Sequence, residues 1–215
     1  MEAFVDESGT HKGSSILTVG AVLGSHQQWR RFLSYWGERP FHAKDPKCGP
    51  LKPALFDAIC DSNLEIFVAS VRPQDYRNHT TAQFRGGLGN AYAVCAFAAA
   101  IGACRFCKNN KLGRISFVIE GGQANVDYIR SALEYARMRE RLGIASVAVA
   151  NKKDFVQLCT ADFVAHSCSR ENEWFARLWD TGRLSKSFIS AERLVQMSEQ
   201  IGEGQKRLKL ERKHV

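Results

Sequence analysis

One apolar segment limits what this chain can fold into more than any other feature. Residues Ala91 to Cys104 run for 14 residues without a charged side chain, inside a helix predicted at about 88–108. The run is shorter than the roughly 20 apolar residues that a membrane-spanning helix needs. A helix that is apolar on every side has to be covered on every side. The segment therefore predicts a layered fold in which this helix lies across a sheet.

The length and composition allow one domain with a large core. The chain has 215 residues, of which 45% are hydrophobic. Its net charge of +8 suits a polyanionic partner such as nucleic acid, although an acidic membrane surface would suit it equally well. Seven cysteines at irregular spacings are typical of reduced thiols, and acids at positions 2, 6 and 7 interrupt any signal-peptide pattern. We expect a cytoplasmic protein without a membrane partner.

The periodicity of the sequence predicts strands and helices in a mixed order. Strands are predicted at about 3–7, 16–24, 64–71, 114–120 and 144–152. Helices are predicted at about 26–36, 53–60, 88–108, 125–143, 154–170 and 190–212. This order indicates an α/β fold with a mixed five-stranded sheet flanked by helices, a helical insert before the third strand and a C-terminal helix. We expect a single domain over 1–215, with a core over about 3–170 and a helical extension over about 171–215.

Three acids from distant parts of the chain are expected to meet. Asp6 ends the first strand, Glu120 ends the fourth, and Asp162 lies inside an otherwise apolar helical stretch. The first and fourth strands are adjacent in the proposed sheet, and a buried carboxylate needs compensation that a divalent cation can supply. Oxygen ligands without a His-Cys pattern favour Mg²⁺ or Mn²⁺ over Zn²⁺.

Each of these acids also has a purely structural interpretation. Asp6 or Glu7 could bond the amides of the following Ser-Gly turn, and Glu120 could cap the next helix. Asp162 could form a salt bridge on the helix surface. These alternatives remain open from the sequence.

Three motifs carry a resemblance to a known family. They are D-E-S-G at 6–9, F-H-A-x-D at 41–45 and Q-L-x-x-A-D-F-x-A at 157–165. Together they resemble the domain of unknown function 3800 family over residues 3 to about 170. The resemblance implies a ribonuclease H-like fold and a metal-dependent nuclease activity. It points to Asp6, Glu7, His42 and Asp162 as site residues, while Glu120 stands where such proteins more often carry Asp. Ribonuclease H also places an acid on the helix across the sheet, where this chain has none, so a fourth ligand would come from Glu7 or Asp154.

A basic segment without acids lies between the third and fourth predicted strands. No Asp or Glu occurs from Tyr76 to Ile119. Cations in this segment are expected to contact the phosphates of a nucleic acid, namely Arg77, Arg85, Lys108 and Lys111. The alternative is a solvated rim that happens to lack acids. His42 could protonate a leaving group or position a water, although a loop histidine is more often merely exposed.

The leading functional interpretation is a Mg²⁺- or Mn²⁺-dependent nuclease that cleaves phosphodiester bonds, with Asp6, Glu7, His42, Glu120 and Asp162 as its catalytic residues. A catalytically inactive nucleic-acid-binding module is the first alternative. The second is a domain that binds a phosphorylated ligand or another protein. Metal-dependent cleavage would favour the enzyme, whereas salt-sensitive binding without a metal would favour the inactive module.

Overall fold

The structure is a computed structural model that describes residues 1–9, 11, 13–122 and 126–200. Its strands are β1 (Glu2–Ser8), β2 (Leu17–Gly24), β3 (Glu65–Val71), β4 (Ile115–Glu120), β5 (Ile144–Ala150) and β6 (Leu184–Ile189). The helices with two described ends are α1 (His26–Trp36), α2 (Lys52–Asp61), α3 (Pro73–His79), α4 (Ala82–Leu88), α5 (Ala91–Asn109), α6 (Val126–Glu134), α7 (Ala136–Leu142), α8 (Leu158–Arg170) and α9 (Glu173–Asp180). Residues 191–200 are also helical.

The strands form one mixed sheet in the order β5-β4-β1-β2-β3-β6. β1 pairs antiparallel with β2 and parallel with β4, which confirms that the first and fourth strands are adjacent. β3 runs antiparallel to β2, while β5 and β6 run parallel to β4 and β3. The mixed α/β fold class is thus confirmed, with six strands instead of five.

The sixth strand lies in the stretch that was expected to be a helical extension. β6 and α9 occupy it, so 171–215 is not helical throughout. β6 buries only Leu184 and Ile189, one on each face, and therefore shows neither an apolar run nor a clean alternation. The last 15 residues of the chain, 201–215, include the second half of the helix predicted at 190–212 and lie outside the described residues.

Two other predicted segments have more detail than the sequence indicated. The loop between β3 and α5 contains two short helices, α3 and α4, and the helix predicted at 125–143 is divided into α6 and α7. The insert before β3 is helical as expected, and the first of its helices begins with a capping box in which Ser25 and Gln28 bond each other's backbone.

Five of the six strands place their C-terminal ends on the same side of the sheet. β1, β3, β4, β5 and β6 all run in the direction opposite to β2. Their last residues therefore lie along one side, which we call the carboxyl edge. The ends of β1, β4 and β5 are neighbours there, as expected for the central strands of an α/β sheet.

Two helices cover the two faces of the sheet. α5 packs on one face, against β2 and β3, and α8 packs on the other, against β1 and β2. α5 meets the length and composition criteria of a membrane-spanning helix, yet it lies in the core as predicted. Residues of β1 alternate between the faces: Ala3 and Val5 belong to the α5 side and Phe4 to the α8 side.

Candidate active site

Three elements bring Asp6, Glu120 and Asp162 to the carboxyl edge. Two residues after Phe4, Asp6 shares its face of β1, and Glu120 likewise shares the face of Val118 on β4. α8 lies on that same face and carries Asp162, which is buried. The sheet and the helix therefore direct all three acids to one place.

A glycine lets α8 approach the sheet closely. Gly20 lies on β2 beneath α8, and a Cβ at this position would sit 3.1 Å from the carbonyl oxygen of Ala161 and 3.2 Å from the backbone nitrogen of Ala165. Both atoms belong to the helix turn that holds Asp162. The position of that acid thus depends on a backbone contact that only glycine permits without a shift.

A lysine ammonium lies at the centre of the three acids. Lys152 follows β5, and its Nζ lies 2.9 Å from Asp6 Oδ2, 2.8 Å from Glu120 Oε2 and 3.1 Å from Asp162 Oδ2. Sequence reasoning did not identify Lys152. The available signal was its place just after β5, at the edge where the neighbouring strands deliver Asp6 and Glu120.

Asp162 has two further partners besides the lysine. Its Oδ2 lies 2.9 Å from His42 Nδ1 and accepts a hydrogen bond from the backbone nitrogen of Ala43 at 3.0 Å. Lys152, His42 and a backbone amide therefore supply the compensation that this buried acid was expected to need. A helix-surface salt bridge is excluded, since the Asp162 side chain is only 3% exposed.

Glu7 occupies the neighbouring position on β1. Because side chains alternate along β1, the residue after Asp6 lies on the α5 side of the strand, where Tyr92 has a buried hydroxyl. Among the described residues, neither Glu7 Oε2 nor the Tyr92 hydroxyl has a hydrogen-bond partner. The two adjacent acids therefore differ in their ion pairing: Asp6 Oδ2, which also has no hydrogen-bond partner, forms an ion pair with Lys152, whereas no ion pair of Glu7 is found among the described residues.

The electrostatics of the cluster reflect an excess of acid. Burial raises the pKa of Asp6 well above its usual range, and a hydrogen bond with Glu120 and the charge of Glu7 raise it further. Burial also raises the pKa of Glu7. Burial alone would lower the pKa of Lys152, but Asp6 and Asp162 raise it overall, which keeps the ammonium charged. Four carboxyl groups thus share one lysine, and the cluster is short of positive charge.

The donor set suits a divalent cation, whereas the present spacing suits the ammonium. Carboxylate oxygens are the ligands that Mg²⁺ prefers, at about 2.1 Å. The three oxygens lie 2.8–3.1 Å from Lys152 Nζ. As placed, the described residues contain no group of three His, Cys, Asp or Glu side chains that could hold a metal ion. A metal would require these acids to close in, or would use the unpartnered oxygen of Glu7.

Two other predicted residues flank the cluster. His42 is at the site through its contact with Asp162, and its side chain is 58% exposed. Asp154, considered as a fourth ligand, is exposed and lies 3.5 Å from the side-chain nitrogen of Asn151 instead of joining the acids. A cleft of about 490 Å³ passes Phe41, Lys152 and Asp154, so the lysine is reached from solvent on this side.

The predicted phosphate-contacting cations fall into two pairs. Arg77 and Arg85 lie in α3 and α4, which follow β3 at the carboxyl edge. Arg77 is exposed, whereas Arg85 donates from Nη1 to the carbonyl oxygen of Thr80 at 2.5 Å and helps to join the two helices.

Lys108 and Lys111 are not near the acids. They lie at the C-terminal end of α5, close to Arg114, whose carbonyl oxygen accepts a bond from the N-terminus at the start of β1. This is the opposite edge of the sheet, roughly 20 Å away for a strand of this length. The prediction that they stand near the carboxylate cluster is wrong, because α5 runs the full height of the sheet before β4 begins.

Other cations lie closer to the acids and were missed. After burial and a hydrogen bond from Asp6, the charges that act on the pKa of Glu7 include those of Lys152 and Lys44. Burial and then the charges of Lys52 and Arg170 lower the pKa of His166, one helix turn after Asp162, to about 4. The charge of Lys44 thus acts on the cluster, and those of Lys52 and Arg170 act beside it on α8. Their sequence signal is weak, since each stands alone in a different element.

Solved structures share this architecture. The Bst ribonuclease HIII in complex with Mn²⁺ aligns with a TM-score of 0.51 and 16% identity over 82% of this chain and 54% of that chain. The ribonuclease HII from Archaeoglobus fulgidus in complex with PCNA aligns with a TM-score of 0.47 and 14% identity over 85% and 77% of the two chains. The chain has a ribonuclease H-like fold. No family model matches the sequence, and no curated protein matches it significantly.

Proposed function

We propose that this chain is a divalent-metal-dependent nuclease that hydrolyses phosphodiester bonds of nucleic acid at the cluster of Asp6, Glu120 and Asp162. One observation carries the proposal: three acids from β1, β4 and α8 direct oxygens to a single point at the carboxyl edge. Acids are rarely gathered in a partly buried cluster for stability alone, since each one raises the pKa of the next. Membership of the domain of unknown function 3800 family is part of the proposal, because all three motifs that carry the resemblance contribute to the cluster.

The metal would be Mg²⁺ or Mn²⁺, held by Asp6, Glu120 and Asp162, with Glu7 offering its unpartnered oxygen. Such an ion, when bound, activates a water and stabilises the leaving oxygen of a phosphodiester. The buried Oε2 of Glu7 supports this fit, because a buried acceptor without a donor is destabilising unless a cation reaches it.

His42 has the geometry of a proton donor. An ionised carboxylate only accepts hydrogen bonds, so the contact with Asp162 Oδ2 is made by an N–H at Nδ1. That bond orients the ring and leaves Nε2 for the substrate. A neutral ring with its proton at Nδ1 has none at Nε2, so His42 would act as the imidazolium: its Nε2 proton would pass to the leaving oxygen and the ring would return to the neutral form.

The cations along the carboxyl edge would receive the phosphate backbone. Lys44 and Arg77 are exposed there, and Arg170 ends the helix that carries Asp162. A polyanion that contacts these side chains would pass over the cluster. Contacts of this kind position the chain of phosphates and carry no sequence information.

The position of Lys152 favours one alternative, a nucleic-acid-binding module without catalysis. In that case the lysine would replace the metal permanently, and the basic surface would bind nucleic acid with a steep salt dependence. The nuclease would cleave its substrate only when a divalent ion is present, whereas the binding module would cleave nothing with or without the ion.

A cleavage assay separates them. Wild-type protein is incubated with single- and double-stranded RNA and DNA and with RNA–DNA hybrids, in Mg²⁺, in Mn²⁺ or in EDTA. We expect cleavage of at least one substrate in Mg²⁺ or Mn²⁺, no cleavage in EDTA, and none by Asp162→Asn. Asp154→Asn is the matched control, since it changes an exposed acid outside the cluster, and should remain active. Metal-independent binding to the same substrates without cleavage would contradict the nuclease.

A further inference from the structure

We infer that Lys152 is a resident cation of the carboxylate cluster, and that it fills a position a divalent ion would otherwise take. The chain would then bind one divalent ion fewer than its acids can hold. The inference rests on the proposed function in treating Asp6, Glu120 and Asp162 as a cation site. It goes further by assigning one cation of that site to the protein itself.

The ammonium contacts all three acids. Three carboxylate oxygens from three different elements lie 2.8–3.1 Å from Lys152 Nζ, which donates a hydrogen bond to Glu120 Oε2 and forms ion pairs with Asp6 and Asp162. The lysine side chain is 21% exposed, and the side chains of Asp6 and Asp162 are 2% and 3% exposed. These ion pairs are therefore largely shielded from water, and shielded pairs attract more strongly than solvent-exposed pairs.

The backbone fixes where this lysine reaches. β5 is the parallel neighbour of β4, and Ala150 stands in register with Glu120 at the ends of the two strands. Lys152 comes two residues later, so its side chain has only to extend from the end of β5 toward the end of β1. The glycine after Glu120, Gly121, donates its backbone N–H to Ala150 at 2.8 Å and holds the two strand ends together.

Withdrawing the lysine would leave its acids without their main partner. A buried carboxylate that loses its cation is strongly destabilised, and here two nearly inaccessible carboxylates would lose it at once. A divalent ion that had to expel Lys152 would first have to overcome these ion pairs. An ion that binds beside the lysine would not.

The charge balance leaves room for such an ion. Asp6, Glu7, Glu120 and Asp162 face a single ammonium, and Glu7 Oε2 has no partner among the described residues. One divalent ion beside Lys152 would bring the formal charge of the cluster close to neutral. Where two divalent ions often share a phosphodiester-cleaving site about 4 Å apart, this cluster would combine one divalent ion with one ammonium.

Counting bound Mn²⁺ tests the inference without any activity measurement. Isothermal calorimetry and the electron paramagnetic resonance of free Mn²⁺ give the stoichiometry for wild type, Lys152→Met and Lys153→Met. The last is a matched control, because Lys153 is the exposed neighbour of Lys152. We expect Lys152→Met to bind one Mn²⁺ more than wild type, and Lys153→Met to equal wild type. Equal stoichiometry in wild type and Lys152→Met would overturn the inference, even if the affinity of the variant rises.

A second measurement covers the case in which Lys152→Met does not fold. Lys152→Arg keeps the charge and should bind as many Mn²⁺ ions as wild type. In wild type, the ammonium of Lys152 should give a protected ¹⁵N resonance that Lys152→Arg removes. We expect this resonance to persist at saturating Mg²⁺. Its conversion to that of a solvent-exposed lysine would show that the metal expels Lys152 and would overturn the inference.

The outcomes also separate this inference from the proposed function. If wild type binds no Mn²⁺ and cleaves nothing, while Lys152→Met binds one Mn²⁺, the resident-cation inference stands and the nuclease fails. If wild type cleaves with metal while the stoichiometries are equal, the nuclease stands and the inference fails.

Discussion

The two helices that cover the sheet both contribute to the core, yet they bury different kinds of side chain. α5 buries alanines, cysteines and Val94, and its buried residues include no charged group. α8 buries Asp162 and His166 together with Thr160 and Ser167. Both helices pack against an apolar face of the sheet, so apolar surroundings alone do not explain why only α8 buries a charged side chain. Charge on α8 is tolerated because the carboxyl edge supplies partners for it.

Those partners come from outside the helix. Asp162 is stabilised by Lys152 from the end of β5, and by His42 and the amide of Ala43 from the loop after α1. α5 needs no such loop, and its buried Tyr92 hydroxyl has no partner among the described residues. The α5 face thus serves mainly the core, with Glu7 at its edge, while the α8 face serves the core and carries Asp162 of the site.

Removing the charge on α8 should have the largest effect. Asp162→Asn keeps an oxygen for the amide of Ala43, so the fold should persist. We expect cleavage to fall by at least about 100-fold, more than the 10- to 100-fold typical of residues that only support a metal ligand. Tyr92→Phe makes the corresponding change on α5 and should leave cleavage within a few-fold of wild type. Steady-state cleavage rates of both variants test the contrast, and equal losses would contradict it.

A pair of glycines tests how each helix meets the sheet. Gly20→Ala would place a Cβ 3.1–3.2 Å from backbone atoms of α8, which cannot rotate away. We expect the free energy of unfolding to fall by about 1–3 kcal/mol and cleavage to decrease, because the turn that holds Asp162 must shift.

Gly102→Ala is the control on α5. Its Cβ would lie 3.2 Å from the ring of Phe67, which can move, and alanine favours a helix over glycine by about 1 kcal/mol. This variant should be close to neutral in stability and in cleavage. Urea unfolding of both variants provides the measurement, and equal destabilisation would mean that the two contacts are alike.

His166 gives α8 an acid sensitivity that α5 lacks. Burial lowers the pKa of His166 to about 4, whereas an unfolded histidine titrates near 6.5. Between these pH values the unfolded chain binds more protons than the folded protein, so His166 reduces stability as the pH falls from about 6.5 toward 4. We expect His166→Gln to show a smaller loss of stability than wild type over this window. Urea midpoints at pH 7 and pH 5 provide the test, and identical pH dependence would contradict it.

The two edges of the sheet should differ in nucleic-acid binding, with the smallest effect of the four. Arg77 lies at the carboxyl edge and Lys108 at the opposite edge. Arg77→Ala should reduce the slope of log K against log salt by roughly 1, as expected for one lost phosphate contact. Lys108→Ala should leave the slope unchanged. A larger change for Lys108 than for Arg77 would move the binding surface away from the acids.

The sequence was sufficient for the frame of this fold and for its acids. A continuous apolar helix and five strong strands have clear periodic signals, and alternation along β1 and β4 decides which face Asp6 and Glu120 share. β6 was not predicted from the sequence because only its terminal residues are buried. Lys152 was not predicted as a site residue because a lysine after a strand is usually solvated, and only the register of β5 with β4 brings it to the acids. Lys108 and Lys111 were misplaced because a position within one acid-free segment does not reveal which edge of a sheet a residue reaches.

The most direct test of the cation site is the effect of Mn²⁺ on thermal unfolding. A ligand that binds only the folded state at about 100 times its Kd adds about 2.7 kcal/mol, which for a chain of this size raises Tm by roughly 5–10 °C. We expect this rise for wild type in millimolar Mn²⁺ and little or none for Asp162→Asn. A wild type whose Tm is unchanged by Mn²⁺ and Mg²⁺ would contradict the account and leave Lys152 as the only cation of the cluster.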